Sequence, residues 1–158
     1  MATGIGNFKA GQDFTVFETP LGQFGVLICF EAIFPDQVRR YVLNGANFLV
    51  NITNDAWFGD SGAPYQHLSM ATLRAVENGV YLVRAANTGV SALIAPTGLI
   101  LQQSDLFVEA VLSGTVTPGT AKTFYTRHGD LFAWACGLIS VLLLAMRGRR
   151  GRGEGGKP

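Results

Sequence analysis

The sequence predicts a layered α/β fold, in which helices pack on a sheet, followed by one separate apolar helix. Two nearly continuous apolar runs, FGVLICF at 24–30 and FLVNI at 48–52, are typical of strands buried on both faces. Segments with helix signals lie after each of these strands. The chain has 158 residues, of which 48% are apolar and 15% charged, so it has room for one domain and disorder is excluded for most of its length.

Proline and glycine mark the elements of the first half. The segment FTVFE, bounded by Gly11 and Pro20, is rich in β-branched and aromatic residues and predicts a short strand. Pro35 opens PDQVRRYVLNG with an acid beside it and a glycine at its end, which is typical of a helix. Pro64 opens a second segment with a broad apolar helical face. The first half therefore predicts strands at 14–18, 24–30 and 48–52 and helices at 35–45 and 64–79.

Short strands dominate the second half. The tripeptide Pro96-Thr97-Gly98 is typical of a turn between two strands. Apolar and β-branched runs on either side of it predict strands at 81–86, 90–95, 99–103 and 107–116. The resulting order, β-β-α-β-α-β-β-β-β, is that of a sheet with helices packed on it.

An uncharged apolar segment, LFAWACGLISVLLLAM, occupies residues 131–146. A membrane-spanning helix needs about 20 such residues, with about 17 near the lower limit, so its length alone is borderline. The residues after it hold five of the 12 basic residues and one of the 11 acids, and a basic cluster beside an apolar helix marks the cytoplasmic side. We expect a domain at 1–129, a transmembrane helix at 130–147 and a cytoplasmic tail at 148–158. A buried core helix is the alternative.

The start of the chain and its overall composition exclude some classes of protein. The first residues, MATGIGNFKAGQ, lack the apolar region of a signal peptide. Because the basic tail places the domain on the outer side of the membrane and the domain has no export signal of its own, we expect further sequence upstream. A net charge of +1 argues against a nucleic-acid partner. Two cysteines cannot build a disulfide scaffold.

Cys29 is the candidate nucleophile. A cysteine in VLICF is most often an inert packing residue, and that alternative stays open. Three features favour chemistry: the strand-to-helix junction, where α/β folds present reactive side chains, the acid Glu31 in apolar surroundings, and a polar loop, NDAWFG at 54–59, after the next strand. A nucleophilic thiol also needs a base or a nearby cation, and no histidine stands at a suggestive position.

The remaining polar residues have less specific patterns. His67 and His128 form no metal-ligand spacing, so we expect surface or packing histidines and no metal site. Cys136 lies in the apolar segment, and we expect it to be a small packing residue. Arg84 is an unusual charge in a predicted strand and either pairs with a carboxylate or points into a site. Arg74 and Glu77 are spaced to pair along one helix face, either as a solvated pair or, because this helix is otherwise apolar, as a buried pair with outside partners.

Four segments together resemble one protein family. They are ICFE at 28–31, NDAWFG at 54–59, QHLSMATLRAVENG at 66–79 and VRAANTGVSALIAPTG at 83–98. This set resembles the nitrilase (carbon–nitrogen hydrolase) superfamily and, within it, the apolipoprotein N-acyltransferase family of membrane enzymes. The resemblance covers residues 8 to 147. It implies a partial nitrilase-type αββα sandwich followed by one C-terminal transmembrane helix.

The resemblance also implies the chemistry. Cys29 matches the nucleophile, which takes an acyl chain from a phospholipid as a thioester and passes it to the N-terminal diacylglyceryl-cysteine of an apolipoprotein. Glu31 matches a supporting acid, the backbone N–H of Phe30 is an oxyanion donor, and Trp57 and Phe58 match an aromatic loop near the substrate. No cofactor is implied. The partners are the phospholipid donor, the apolipoprotein acceptor and the bacterial inner membrane, with the domain in the periplasm.

Two residues of the implied Cys–Glu–Lys triad have no match in this chain. The family's glutamate and lysine stand well before the cysteine, and neither Glu18 nor Lys9 has the family's context. The family's upstream membrane helices are also unmatched. We therefore expect this chain to be inactive alone, because a thiol without base or cation stays mostly protonated, and to fold poorly, because half a sandwich leaves a sheet face uncovered.

Two other functions compete with this one. A soluble carbon–nitrogen hydrolase that cleaves small amides would share the fold and Cys29, with 131–146 as a core helix. A non-enzymatic, membrane-tethered remnant would bind a partner through the Trp57 loop; the unmatched triad favours it and the intact Cys29-Phe30-Glu31 does not.

Overall fold

The computed structural model describes residues 11–153, with side chains through 147. Lys9, the start of the chain and residues 154–158 lie outside the described residues. The strands are β1 Val16–Thr19, β2 Gly22–Ile28, β3 Phe48–Asn54, β4 Tyr81–Asn87, β5 Ala92–Ile94 and β6 Ile100–Gln103. The α-helices are α1 Pro35–Leu43, α2 Ala63–Asn78, α3 Phe124–His128 and α4 Leu131–Gly153, and two short 3-10 helices cover Cys29–Ile33 and Ala56–Phe58.

All six strands form one mixed sheet in chain order, β1 to β6. The central strands β2, β3 and β4 are parallel, with Ile28 beside Ile52 and Asn54 beside Asn87, while β1, β5 and β6 pair antiparallel at the two sides. The carboxyl ends of the three parallel strands therefore meet at one edge of the sheet. This edge carries the Cys29 turn and the 54–59 loop.

The two long helices of the domain cover one face of the sheet. Leu27, Leu49 and Leu82 point to this face from the three parallel strands, and each has no exposed surface. They pack with fully buried helix residues that include Val38 and Ala71. Local signals match these helices, since proline stands in the first turn of both and a glycine with φ of 65° caps the second.

The opposite face of the sheet is apolar and largely open. The ring of Phe24 stacks between those of Phe17 and Phe48, at centroid distances of 5.4 and 5.3 Å. Farther along β2 and β3, Ile28 and Ile52 are 60% and 45% exposed. Within residues 11–147, the structure thus contains one helix layer and one sheet, and the alternate residues of the strands face outward as an apolar surface.

One strand prediction extended too far and another was wrong. Residues 29 and 30 leave β2 for a 3-10 helix, because the chain turns sharply at the sheet edge. Residues 107–116 form no strand. This segment leads across the sheet rather than along it: a Cβ at Gly114 would meet Leu93 of β5, and the Gly119 N–H donates to the carbonyl of Asn47 before β3, at 2.8 Å.

The C-terminal apolar segment is helical and stands away from the core. Every residue from 131 to 147 is exposed, so the alternative of a buried core helix does not describe this structure. Cys136, predicted to pack, is exposed for the same reason. Among the residues whose side chains are described, none belongs to a helix with the length and apolarity needed to cross a membrane.

Candidate functional site

Cys29 lies in a strained turn at the carboxyl edge of the sheet. It is the first residue of the 3-10 helix that follows β2, it is partly buried, and its φ is 52°. A side chain other than glycine in this left-handed region costs of order 1–3 kcal/mol, and such strain is concentrated at functional sites. N–H groups in the first turn of a helix lack intrahelical partners, so that of Phe30 can face a ligand.

Two side chains support this turn from either side. The Oε2 of Glu31 accepts a hydrogen bond from the Ile28 N–H at 2.7 Å. From β3, the amide Nδ2 of Asn51 donates to the carbonyls of Leu27 at 3.0 Å and of Cys29 at 3.4 Å. The carboxylate of Glu31 is thus engaged with the backbone of the turn.

Arg84 lies in the middle of the sheet with 2% of its surface exposed. Its guanidinium donates to the Oδ1 of Asn51, to the Oδ2 of Asp55 at 2.7 Å and to the carbonyl of Val90 at 3.2 Å. Burial lowers the pKa of Arg84, against the opposing charge of Asp55. Of the two possibilities that the sequence leaves open, pairing with a carboxylate is therefore what the structure contains.

His67 extends the same buried cluster. Its Nδ1 lies 3.0 Å from the Oδ1 of Asp55, which also accepts the hydroxyl of Thr53, and 3.2 Å from the Nη2 of Arg84. The ring is 3% exposed and lies against those of Phe30 and Phe58, with centroids 5.6 and 6.0 Å away. Its Nε2 has no hydrogen-bond partner within the described part of the chain.

The two aromatic residues of the 54–59 loop, Trp57 and Phe58, differ in exposure. Trp57 is 80% exposed, whereas Phe58 is half-buried with its ring edge toward His67. Asp55 anchors the loop, since its N–H donates to the carbonyl of Asn87 at 3.2 Å. Trp57 therefore projects from the sheet edge that also carries Cys29.

The described residues supply no partner for the thiol. Between residues 11 and 147 no side chain hydrogen-bonds to the Sγ of Cys29, and no cluster of metal-ligating residues occurs. Glu18 bonds to Gln23 at the opposite end of β2, about 20 Å along the strand from Cys29 at ~3.3 Å per residue.

Sequence reasoning missed the cluster of Asn51, Asp55, His67 and Arg84 as a unit. Its one signal was the arginine in β4, because a charge in a buried strand requires a partner. His67 fits the prediction of a packing histidine, but a carboxylate holds it. Of the other two polar predictions, His128 is exposed and stacks on Phe124. Arg74 is buried, pairs with Glu77 at 2.9 Å and also donates to the carbonyl of Ile33 at 3.4 Å, so this pair is not a solvated one.

The chain is similar to known proteins over most of its length. Residues 5–125 match the carbon-nitrogen hydrolase family. The chain is 51% identical over 95% of its residues to an apolipoprotein N-acyltransferase of Geobacter metallireducens, and 47% identical over 78% of them to one of Rhodopseudomonas palustris. It spans only 29% and 23% of the lengths of these two relatives.

Solved structures of the nitrilase superfamily are also similar to this chain. Saccharomyces cerevisiae Nit3, a member of the nitrilase superfamily, superposes with a TM-score of 0.54 at 26% identity, over 64% of this chain and 40% of that one. A Nesterenkonia sp. amidase variant, solved with the acetamide moiety of fluoroacetamide added covalently at its active-site cysteine, superposes with a TM-score of 0.50 at 25% identity, over 71% of this chain and 41% of that one. The fold is thus a nitrilase-type α/β fold with a mixed sheet.

Proposed function

Because the chain belongs to the carbon–nitrogen hydrolase family, we propose that it forms the cysteine-bearing part of an apolipoprotein N-acyltransferase, which acts in lipoprotein maturation. The observation that carries the proposal is 51% identity, over 95% of the chain, to a relative with that name. The geometry supports it, since Cys29 lies in a strained turn at an open sheet edge.

In this proposal the Cys29 thiolate is the nucleophile. Its Sγ attacks an ester carbonyl of a phospholipid, a C–S bond forms, the ester C–O bond breaks, and the lysophospholipid leaves with a proton. The α-amino group of the acceptor's N-terminal diacylglyceryl-cysteine then attacks the thioester, an amide forms, and the thiol is released. The backbone N–H of Phe30 faces the developing oxyanion in both steps.

The neighbours of Cys29 have supporting roles in this reaction. Glu31 holds the turn through the Ile28 N–H and does not need to move a proton. Trp57, exposed at the same edge, forms an apolar wall for an acyl chain, and Phe58 anchors that wall on His67. The activating glutamate and lysine belong to the part of the enzyme that this chain does not span.

The rest of the enzyme also explains the open sheet face. A second sheet packed on Phe24, Ile28 and Ile52 would complete a four-layer sandwich, in which two inner faces bury each other. Because this partner sheet is required for both the core and the triad, the chain alone is expected to be inactive and prone to associate through the open face.

Membrane attachment is the other part of the proposal. The described part of α4 does not by itself reach the length and apolarity of a spanning helix. Its side chains from 131 to 147 are nevertheless all exposed and mostly apolar, and further basic residues follow this stretch in the sequence. We place 130–147 in the bacterial inner membrane, the domain in the periplasm and the tail in the cytoplasm. Carbonate extraction of membranes tests this placement: the chain stays in the pellet if α4 is inserted and is released if it is not.

A hybrid enzyme tests the activity. This chain replaces the matching 29% of the Geobacter metallireducens relative, and the hybrid is assayed for transfer of a phospholipid acyl chain to a diacylglyceryl lipopeptide. We expect transfer by the hybrid, none by its Cys29→Ser variant, and unchanged transfer by Cys136→Ser, the matched control at the other cysteine. Full transfer by the Cys29→Ser variant would refute the assignment.

Amide hydrolysis is a second candidate, favoured by the structural likeness to the Nesterenkonia amidase. Both reactions begin with a thioester on Cys29 and differ in whether water or an amine resolves it. The same hybrid distinguishes them: release of free acid from small amides without lipopeptide acylation would favour the hydrolase.

A further inference from the structure

We propose that Asn51 and Arg84 are positioning residues that hold the Cys29 turn in its reactive conformation. Two groups of the turn face β3, the carbonyls of Leu27 and Cys29, and one amide from Asn51 donates to both. The left-handed backbone at Cys29 is costly and persists only where its surroundings fix it. Asn51 supplies that restraint from beneath the turn.

Arg84 orients this amide. An asparagine side chain can rotate to exchange its oxygen and nitrogen, and only one orientation donates to the turn. The guanidinium of Arg84 donates to the Oδ1 of Asn51, which directs the Nδ2 toward the two carbonyls. The guanidinium is itself fixed by Asp55 and by the carbonyl of Val90.

The same cluster reaches the aromatic loop. Asp55 bonds to Arg84 and His67, and the His67 ring packs between Phe30 and Phe58. One buried network thus links the nucleophile turn with the 54–59 loop, although none of its side chains needs to touch substrate. A buried arginine in the middle of a sheet is costly unless its partners are complete, and here its three donor groups are all engaged.

The test replaces the donor of the Asn51 amide and keeps its acceptor. In Asn51→Asp the carboxylate keeps the bond from Arg84 but cannot donate to the turn. The matched control is Asn78→Asp: Asn78 is also fully buried, donates to a backbone carbonyl, that of Arg74 at 3.0 Å, and accepts from the hydroxyl of Thr126. Hydrogen exchange is followed by mass spectrometry in the full chain.

We expect N51D to speed exchange in the peptide covering residues 27–34 by about tenfold, with β4 and α2 unchanged, since one hydrogen bond to the turn is worth roughly that factor. N78D leaves this peptide unchanged. Equal acceleration of every peptide, or none at 27–34, overturns the proposal. If N51D does not fold, Asn51→Ala removes the donor without adding a charge, and failure of both variants to fold also overturns it.

Kinetics in the hybrid enzyme give the second readout, which rests on the proposed function. N51D should lower kcat at least about tenfold with KM for the phospholipid within twofold, because the turn rather than the substrate site is altered. N78D changes neither. A rise in KM at unchanged kcat contradicts positioning. If the unaltered hybrid has no acyltransferase activity, the proposed function fails, and the exchange experiment alone decides on positioning.

Discussion

Truncating two residues of β3, Leu49→Ala and Ile52→Ala, separates the covered face of the sheet from the open one. Leu49 points to the helix layer and is fully buried, whereas Ile52 points to the other face and is 45% exposed. Both changes remove the carbons beyond Cβ from the same strand, so they differ mainly in what packs against them.

The structure sets the expected magnitudes. Leucine-to-alanine changes at sites without exposure cost about 2–5 kcal/mol, because a cavity adds to the lost transfer free energy. For Ile52, full burial of the same carbons would be worth about 2.4 kcal/mol at ~0.8 kcal/mol per carbon, and about half of the side chain is already in water. We expect a loss of about 1 kcal/mol or less.

Urea unfolding of the chain, followed by circular dichroism, measures the two costs. The reasoning is refuted if Ile52→Ala costs as much as Leu49→Ala in the isolated chain. In the hybrid enzyme the proposed second sheet covers Ile52, so the cost of Ile52→Ala should rise toward that of Leu49→Ala. No rise there would contradict the half-sandwich account.

Two further changes probe close packing and buried charge. Gly89→Ala places a Cβ 2.5 Å from the Oδ2 of Asp55 and should cost about 1–3 kcal/mol in urea unfolding, whereas Gly62→Ala, with no atom within 4 Å, should change stability little; equal costs would contradict the clash. Burial raises the pKa of Glu77 above 4.5, against the opposing charge of Arg74, so the folded chain binds this proton more tightly than the unfolded chain does. The resulting stability is full below about pH 4.5 and is lost as pH rises through the folded pKa. Relative to Glu77→Gln, the chain should therefore lose stability between pH 4 and 8, and a gain with pH would show that the ion pair outweighs burial.

The sequence predicted the framework well where local signals act alone. The apolar runs predict β2 and β3 because buried strands require apolar residues. Proline and glycine mark the ends of the two helices because the first turn and the cap favour these residue types. The sequence also singled out Cys29 and the 54–59 loop, each at the end of a predicted strand, and the parallel pairing of β2 and β3 places both at one edge. The left-handed backbone conformation of Cys29 was not predicted, because the residues ICF continue the apolar pattern of the strand and no local residue type marks a turn there.

The buried cluster could not be read from spacing. Asp55 and His67 are twelve positions apart, Asn51 and Arg84 are 33 apart, and only the sheet register and the packing of α2 bring them together. Residues 107–116 were missed for a similar reason: their composition suits a strand, yet contacts with Leu93 and Asn47 direct the chain across the sheet. Tertiary contacts decide both cases.

The central claim is that Cys29 carries the acyl group, and trapping the intermediate tests it most directly. The hybrid enzyme is incubated with phospholipid and no acceptor, and its peptides are weighed by mass spectrometry. The account predicts a mass increase of one acyl chain on the peptide that contains Cys29, lost on treatment with hydroxylamine, which cleaves thioesters. An acyl group on the Cys136 peptide alone, or a hybrid that transfers acyl chains while Cys29 stays unmodified, would contradict it.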